Sequence, residues 1–275
     1  NIMPELPEVE TVRATLEPVL TGRTITHIDI TLPRLIKNAT PQLFSKALSG
    51  CTFTAVGRKG KYLRLCTDGS SDLLVHLRMT GSLIYDAAGN NRPKTAHIVF
   101  HLDKGLLYYC DVRTFGCLWL AKPGEKTGIS GYDDLGPDAN SAAVTADYLR
   151  EKMKASSRTV KSFLLDQTVL AGLGNIYVDE ALFLAGIRPS RRCNHIGKER
   201  TQRLAKAIHT VLAEGIEYGG TTIRDFVNGS GREGENQENL AVYGREGTPC
   251  KTCGTLIKYV KQGGRGTHYC PHCQH

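Results

Sequence analysis

The pattern of hydrophobic and polar residues changes character at about residue 125. Apolar residues first recur at helical spacing, at Leu6, Val9, Val12 and Leu16. This spacing predicts one short opening helix, with Pro18 and Gly22 near its end. Strand-like runs separated by Gly, Asp and Asn follow, at Thr24–Leu32, Tyr62–Cys66, Leu73–Leu77, Ile98–Leu102 and Leu106–Tyr109. Such runs predict a sandwich or barrel of antiparallel strands.

The second half of the chain has a helical pattern instead. Candidate helices lie at Tyr148–Lys154, Val160–Asp166, Asn175–Ala185 and Lys198–Tyr218. The polar, glycine-rich stretch Gly220–Gln237 predicts a mobile loop, and the tail returns to short β-like pieces. We therefore expect an α+β protein with a β-sandwich over residues 1–125, a linker over 126–141, a helical domain over 142–240 and a C-terminal module over 241–275.

Composition narrows the class of protein. A hydrophobic content of 40% and a charged content of 23% are typical of a soluble globular chain. There is no apolar run of about 20 residues and no signal peptide at the start, so we expect a cytoplasmic protein without a membrane partner. The net charge of +8 favours a polyanionic partner, of which nucleic acid is the most common. A merely basic enzyme is the alternative.

The cysteines fall into two groups. Five are scattered among apolar neighbours and are typical of small core residues: Cys51, Cys66, Cys110, Cys117 and Cys193. The others form two C-x2-C pairs separated by 16 residues: Cys250, Cys253, Cys270 and Cys273. Two such pairs can supply four thiolates to one zinc ion in tetrahedral geometry. Four thiolates leave no open position, so the sequence predicts one structural zinc.

The residues between the two cysteine pairs predict a basic hairpin. Gly263-Gly264 suits a tight turn, and Lys258, Lys261 and Arg265 lie on either side of it. Such a hairpin can contact the phosphates of DNA. A hairpin whose cations are only solvated is the alternative, but the zinc module and the clustered cations favour nucleic-acid contact.

The start of the chain offers a candidate nucleophile. If Met3 is the biological start, its removal exposes Pro4 as the first residue. A terminal proline is a secondary amine that can attack a sugar carbon and hold the product as an iminium ion. The neighbouring Glu5 could donate and accept protons. On its own, a Met-Pro-Glu start is weak evidence, because proline is common near helix starts.

Three motifs together resemble the bacterial formamidopyrimidine-DNA glycosylase family of base-excision repair enzymes. Pro4–Thr11 resembles the opening of the family, Gly172–Glu180 its helix–two-turn–helix DNA clamp, and Tyr243-Gly244-Arg245 with the cysteine module its C-terminal zinc finger. The resemblance covers nearly the whole chain. It implies excision of 8-oxoguanine or formamidopyrimidines from damaged double-stranded DNA, followed by strand cleavage through β- and δ-elimination.

The resemblance also implies roles for individual residues. Pro4 matches the nucleophile that displaces the base and forms the Schiff base, and Glu5 matches the acid/base. Lys61 matches a lysine that contacts phosphate and supports elimination. Arg265 matches the arginine of the zinc hairpin that clasps DNA and is tied to strand cleavage. Without the resemblance, Lys61 would be interpreted as part of a solvated basic strand.

A further set of residues is expected to bind DNA. An extruded base leaves a hole in the duplex, and Met79, Arg113 and Phe115 match the family's void-filling triad. Pattern alone would place Met79 and Phe115 in the core. Arg158 and Asn175 are expected to contact phosphate, with Asn175 capping the next helix. The remaining two, Thr221 and Thr222, lie in a stretch that resembles the flap over an extruded purine.

The match is incomplete in three places. Asn1 and Ile2 precede Met3, and Pro4 can act only if residues 1–3 are removed. Thr95 stands where the family often has histidine, two residues before His97. Thr114 stands where some relatives have a second arginine, which leaves the opposite-base preference open.

Three other functions are also compatible with the sequence. They are a non-catalytic DNA-binding protein, an endonuclease VIII-like enzyme for oxidised pyrimidines, and a zinc-ribbon protein of RNA or the ribosome. The third leaves the N-terminal half unexplained. We expect a monomer that acts on the nucleoid, with DNA in a basic cleft between the two domains.

Overall fold

A computed structural model describes residues 2–275 of the chain. Contacts divide it into two compact units. The first comprises Asn1–Asp133 and Tyr218–Glu235, and the second comprises Asp134–Glu217 and Asn236–His275. The domain boundaries expected at residues 125, 141 and 240 stay a prediction.

The first unit combines helices with two antiparallel sheets. Its helices are α1 (Leu6–Leu20) and α2 (Pro41–Leu48). Its strands are β1 (Ile25–Ile30), β2 (Phe53–Lys59), β3 (Tyr62–Thr67), β4 (Asp72–His76), β5 (Gly81–Asp86), β6 (Ala96–Leu102), β7 (Leu106–Asp111) and β8 (Cys117–Ala121). The strand orders are β1-β6-β7-β5 in one sheet and β2-β3-β4-β8 in the other. Side chains from both sheets and from α1 form one hydrophobic core, which confirms the predicted β-sandwich.

Helix α1 ends between Pro18 and Gly22. It runs through Pro18 to Leu20, although proline removes one helical hydrogen bond. The predicted end near Pro18 and Gly22 is therefore confirmed. Leu16 and Leu20 are both fully buried in the core, and burying each side chain contributes about 1.5–3 kcal/mol. Burial of Leu20 thus offsets the lost bond.

The segment from Tyr218 to Glu235 belongs to the first unit, is closed at its ends and is anchored in its middle. Its ends meet where the Glu235 N–H donates to the Tyr218 carbonyl at 2.9 Å. Its middle is fixed by Gly229, whose N–H donates to Thr15 Oγ1 at 2.9 Å and whose carbonyl accepts from Tyr85 N–H at 2.9 Å. The predicted loop is therefore long but anchored.

The second unit is mainly helical. It contains α3 (Ala146–Lys154), α4 (Val160–Leu165), α5 (Asn175–Ala185), α6 (Lys198–Glu217) and a hairpin of β9 (Lys258–Gln262) and β10 (Arg265–Tyr269). Helix α5 is buried along most of its length, because α4, α6 and β10 all contact it. The predicted α+β class, with a helical part and a β-hairpin at the C-terminus, is confirmed. In residues 2–275 no helix has the length and apolarity required for a membrane span.

Candidate active site and metal centre

The first turn of α1 fixes the candidate catalytic carboxylate. Glu5 is the N-cap residue, and its side chain accepts a hydrogen bond from the backbone of Glu8. In return, the Glu5 N–H donates to Glu8 Oε2 at 2.8 Å. This reciprocal pair is a capping box, and it buries both glutamates. Pro4 is also buried and directly precedes the cap.

Glu8 joins this turn to the loop segment Tyr218–Glu235. Its Oε1 accepts from the Thr221 N–H at 2.7 Å, so one carboxylate binds both the Glu5 and the Thr221 backbone. The bond brings Thr221 beside the start of α1. Thr222 lies further along, where its hydroxyl accepts from Gly234 N–H at 2.8 Å and donates to the Phe226 carbonyl.

Lys61 lies in the two-residue turn between β2 and β3. Gly60 before it has a φ of 57°, and the Gly60 carbonyl accepts from Arg58 Nη1 at 3.0 Å. Burial, together with the positive charges of Arg78 and Lys61, lowers the pKa of His76 to about 3. The imidazole is therefore neutral, and its Nδ1 accepts from the Arg78 N–H at 3.0 Å.

The structure brings together the three residues expected to fill the hole in a duplex. Arg113 Nη1 lies 3.4 Å from Met79 Sδ, and its guanidinium lies 4.9 Å from the centre of the Phe115 ring. Phe115 is 53% exposed, although its sequence pattern alone was typical of a core residue. Nearby, His97 Nε2 donates to the Asp111 carbonyl at 2.8 Å, and the Thr95 carbonyl accepts from Asp111 N–H.

In the second unit, Asn175 is placed differently from the expectation. The N-cap of α5 is Gly174 and Asn175 is the first helical residue, so the predicted side-chain cap was wrong. The Asn175 Nδ2 instead donates to the Gly266 carbonyl at 2.9 Å, next to Arg265. Gly174 supplies no capping side chain to the helix, and the Asn175 side chain joins α5 to the hairpin.

Arg158 and Arg265 are both exposed. Arg158 Nη1 forms an ion pair with Asp166 at 2.8 Å, and its guanidinium lies over the Phe163 ring. Any phosphate bound by Arg158 would therefore share the guanidinium with Asp166. Arg265 begins β10, opposite Gln262 at the turn of the hairpin.

A buried ion pair, which the sequence analysis missed, supports the hairpin. Lys161 Nζ on α4 contacts Asp179 Oδ1 on α5 at 2.7 Å, and both side chains are almost completely buried. Lys161 Nζ also donates to the Gly266 carbonyl at 3.0 Å and to Thr267 Oγ1 at 2.8 Å. The other Asp179 oxygen accepts from the His268 N–H at 2.9 Å. The strand that carries Arg265 is thus tied to two helices.

A second acidic residue on α5 organises the approach to the cysteine module. The Glu180 carboxylate accepts from the backbone N–H groups of Ala241, Val242 and Tyr243 at 2.7–2.9 Å. Burial raises the pKa of Glu180 despite these bonds. Consecutive acids within the apolar helix α5 were the available signal for both Asp179 and Glu180, since charges on a buried helix need partners.

The four predicted zinc ligands lie together. The sulfur atoms of Cys250, Cys253, Cys270 and Cys273 are all within 4.8 Å of one another. Backbone N–H groups also point at sulfur, from Thr252 to Cys250 at 3.4 Å and from Cys273 to Cys270 at 3.3 Å. Hydrogen bonds from Thr255 lower the pKa of Cys253 to about 6, whereas burial raises the pKa of Cys270 and Cys273. A bound cation would favour the thiolate form of all four. The donor set fits one structural zinc.

Family models match three successive parts of the chain. Residues 3–118 match the formamidopyrimidine-DNA glycosylase N-terminal domain, and residues 135–227 match the H2TH domain of the same family. Residues 247–275 match a zinc finger found in FPG and IleRS. This order is the one that the sequence motifs indicated.

Individual proteins are similar over nearly their whole length. Formamidopyrimidine-DNA glycosylase of Bacillus licheniformis is 46% identical over 276 residues, and that of Pelotomaculum thermopropionicum is 43% identical over 273. Both alignments cover 99% of each chain. A Lactococcus lactis FPG variant bound to Fapy-dG-containing DNA has a TM-score of 0.92 at 37% identity, covering 98% of this chain and 99% of that one. The MutM (FPG) protein of Thermus thermophilus has a TM-score of 0.88 at 37% identity, covering 98% of both.

Proposed function

The chain belongs to the formamidopyrimidine-DNA glycosylase family, and from this membership we propose that it excises oxidised purines from double-stranded DNA and then cleaves the strand. The substrates would be 8-oxoguanine and formamidopyrimidines. The observation that carries the proposal is the Pro4-Glu5 pair at the start of α1, with Glu5 fixed by its capping box. A secondary amine next to a positioned carboxylate is the arrangement that imine chemistry requires.

The first chemical step is assigned to Pro4 and Glu5. The unprotonated Pro4 nitrogen forms a bond to C1′ of the sugar, while the glycosidic bond breaks and the base leaves with its electron pair and gains a proton. Glu5 exchanges protons with the sugar as the ring opens and an iminium ion forms. The bond from Glu8 to Thr221 supports a role for Thr221 and Thr222 beside the extruded base.

The second step is elimination, which we assign to Lys61 and Arg265. Loss of the C2′ proton expels the 3′ phosphate, and a second elimination expels the 5′ phosphate. Lys61 would hold a phosphate beside the lesion, and Arg265 would neutralise the charge on a leaving phosphate. Support for Arg265 comes from Lys161 and Asn175, which both bind the neighbouring Gly266 carbonyl.

DNA binding is assigned to two sets of residues. Met79, Arg113 and Phe115 would fill the hole left by the extruded nucleotide, because apolar wedges stabilise an unstacked step. Arg158 and Asn175 would contact phosphate. We also propose that the enzyme acts as a monomer on nucleoid DNA. Its oligomeric state can be measured by size-exclusion chromatography with light scattering.

The mechanism requires Pro4 to be the first residue. In this chain Met3 precedes Pro4, and a peptide nitrogen has no lone pair available for attack. We expect borohydride to trap a covalent adduct on a duplex with 8-oxoguanine opposite cytosine when intact mass shows Pro4 at the terminus. Borohydride reduces the iminium to a stable amine, and peptide mapping of the adduct should identify Pro4.

The matched control is the same protein with residues 1–3 retained, which should bind the duplex but give no adduct. Absence of an adduct from protein that begins at Pro4 would contradict the proposal and favour a lesion-binding protein without catalysis. A stronger adduct on oxidised pyrimidines than on 8-oxoguanine would instead favour an endonuclease VIII-like enzyme.

Affinity for DNA is expected to fall steeply with salt. Each phosphate neutralised by a cation contributes about −0.9 to the slope of log K against log salt for duplex DNA. Replacing Arg265 by alanine should therefore make the slope about 0.9 shallower. Fluorescence anisotropy titrations between low and moderate salt measure this slope. Lys46→Ala on α2 removes an equal charge from an exposed residue with no assigned contact, and should leave the slope unchanged. An unaltered slope in Arg265→Ala would exclude the phosphate contact.

A further inference from the structure

A single buried carboxylate lies behind the three residues assigned to the duplex hole. Asp111 ends β7 and is 1% exposed. Its Oδ1 accepts from Thr80 Oγ1 at 2.5 Å and from the Thr114 N–H at 3.0 Å. Its Oδ2 accepts from the Gly116 N–H at 2.8 Å and from the Tyr109 hydroxyl at 3.0 Å. Among the described ion pairs none includes Asp111, so four neutral donors stabilise its charge.

These donors come from the two turns that carry the hole-filling residues. Thr80 directly follows Met79, and Thr114 lies between Arg113 and Phe115. The Thr80 hydroxyl links the turns further, since it also accepts from the Arg113 N–H at 2.9 Å. Asp111 and Thr80 therefore connect the backbones beside all three side chains.

Both turns contain a residue in an unfavourable backbone conformation. Arg78, directly before Met79, has a φ of 53°, and Thr114 has a φ of 59°. Such angles are rare outside glycine and are costly for a β-branched residue, at roughly 1–3 kcal/mol. The conformations persist only if surrounding bonds hold them. For Thr114, the bond from its own N–H to Asp111 is one of these.

The arrangement requires two acceptor oxygens. Each Asp111 oxygen binds one backbone N–H, from Thr114 or from Gly116, and a backbone N–H cannot turn round to become an acceptor. An asparagine side chain has one oxygen, so either orientation of the amide would leave one of these N–H groups facing an NH2 group. Burial and the charge of Asp111 raise the pKa of Tyr109 far above its usual range, so its hydroxyl remains a donor.

We propose that Asp111 is a positioning residue that holds Met79, Arg113 and Phe115 in the conformation that enters the duplex. This inference rests on the proposed function, because it gives those three residues their assigned role. Because Asp111 is 1% exposed, it would act through these residues and not by direct contact with DNA or the reacting sugar. Its effect is confined to substrates in which a base must leave the stack.

The test compares two DNA substrates with one conservative substitution. Asp111→Asn should lower the single-turnover rate of 8-oxoguanine excision from a duplex by about 10- to 100-fold, the size expected when a buried N–H loses its acceptor at a site that must fit the transition state. Cleavage of a single-stranded oligonucleotide with an abasic site should stay within about twofold of the parent rate, because no stack is present to be filled. Both assays use protein that begins at Pro4.

Asp86→Asn is the matched control. Asp86 ends β5 and accepts from Gly89 N–H, Asn91 N–H and the Tyr108 hydroxyl at 3.0–3.1 Å, and none of these is assigned to DNA. It should leave both rates near those of the parent. A 2-aminopurine beside the lesion should also become unstacked with Asp86→Asn protein but not with Asp111→Asn protein.

Three results would overturn the inference: equal excision by the two variants, equal loss on both substrates by Asp111→Asn, or normal 2-aminopurine unstacking. If Asp111→Asn does not fold, Thr80→Val decides the question, because it removes only the hydroxyl bridge and should show a smaller loss restricted to the duplex. Failure of the parent protein on both substrates would instead refute the proposed function.

Discussion

Substituting Cys253 with serine is expected to release the zinc ion and to abolish DNA binding. The four sulfur atoms lie within 4.8 Å of one another, and the module around them has only a small apolar cluster of its own. Apparent binding energies of structural zinc are about 10–16 kcal/mol in zinc-finger peptides, far more than such a cluster supplies. The hairpin that carries Arg265 should therefore lose its fixed position. Atomic absorption measures the zinc, and fluorescence anisotropy measures DNA binding.

Cys51→Ser is the control for this substitution. Cys51 is a half-buried thiol in the first unit, whose sulfur donates weakly to the Ala47 carbonyl. This variant should keep one zinc per chain and should bind DNA like the parent. Tight DNA binding by a zinc-free Cys253→Ser protein would show that the metal is not needed to hold the module.

The second large effect, on the free energy of unfolding, is expected from Asp179→Ala. This substitution removes the carboxylate that lies 2.7 Å from the buried Lys161 Nζ. Removing one partner of a buried ion pair costs about 3–5 kcal/mol. We expect the free energy of unfolding of zinc-loaded protein to fall by that amount in urea titrations, with Arg265-dependent DNA binding weakened as well.

Two further variants test whether the broken ion pair causes the loss of stability. Glu199→Ala removes the exposed pair with Arg203 on α6 and should leave stability nearly unchanged, because exposed pairs contribute little. Replacing both Lys161 by methionine and Asp179 by leucine should recover much of the loss, since neither charge of this buried pair then remains. Equal stability of Asp179→Ala and Glu199→Ala would contradict this account of the buried pair.

The parts predicted well from sequence depend on local patterns. The zinc ligands follow from the spacing of four cysteines, and α5 follows from its apolar run. Helix α2 also had a local signal that was not used: Thr40 caps it by accepting from Leu43 N–H, and Pro41 is its first residue. Its omission was avoidable.

The features of the fold and site that the sequence did not predict depend on contacts between residues far apart in the chain. Glu8 binds Thr221 across 213 positions, and Lys161 binds Thr267 across 106. Whether a glutamate is only a helix cap or also anchors a loop is decided by which backbone packs against it. The role of Asp111 was missed for the same reason, since its hydrogen-bond partner Thr80 lies 31 positions away. Periodicity carries no information about such pairs.

The return of Tyr218–Glu235 to the first unit has a consequence for synthesis on the ribosome. The strands of that unit are complete by Ala121, but residues 134–217 must be translated before the loop exists. At about 5–20 residues per second this interval lasts roughly 4–17 s. During that time the Thr15 hydroxyl and the Tyr85 N–H lack their partners on Gly229. The nascent sandwich therefore emerges without the loop that binds Thr15 and Tyr85. A chain released before the loop is translated would lack these hydrogen bonds permanently.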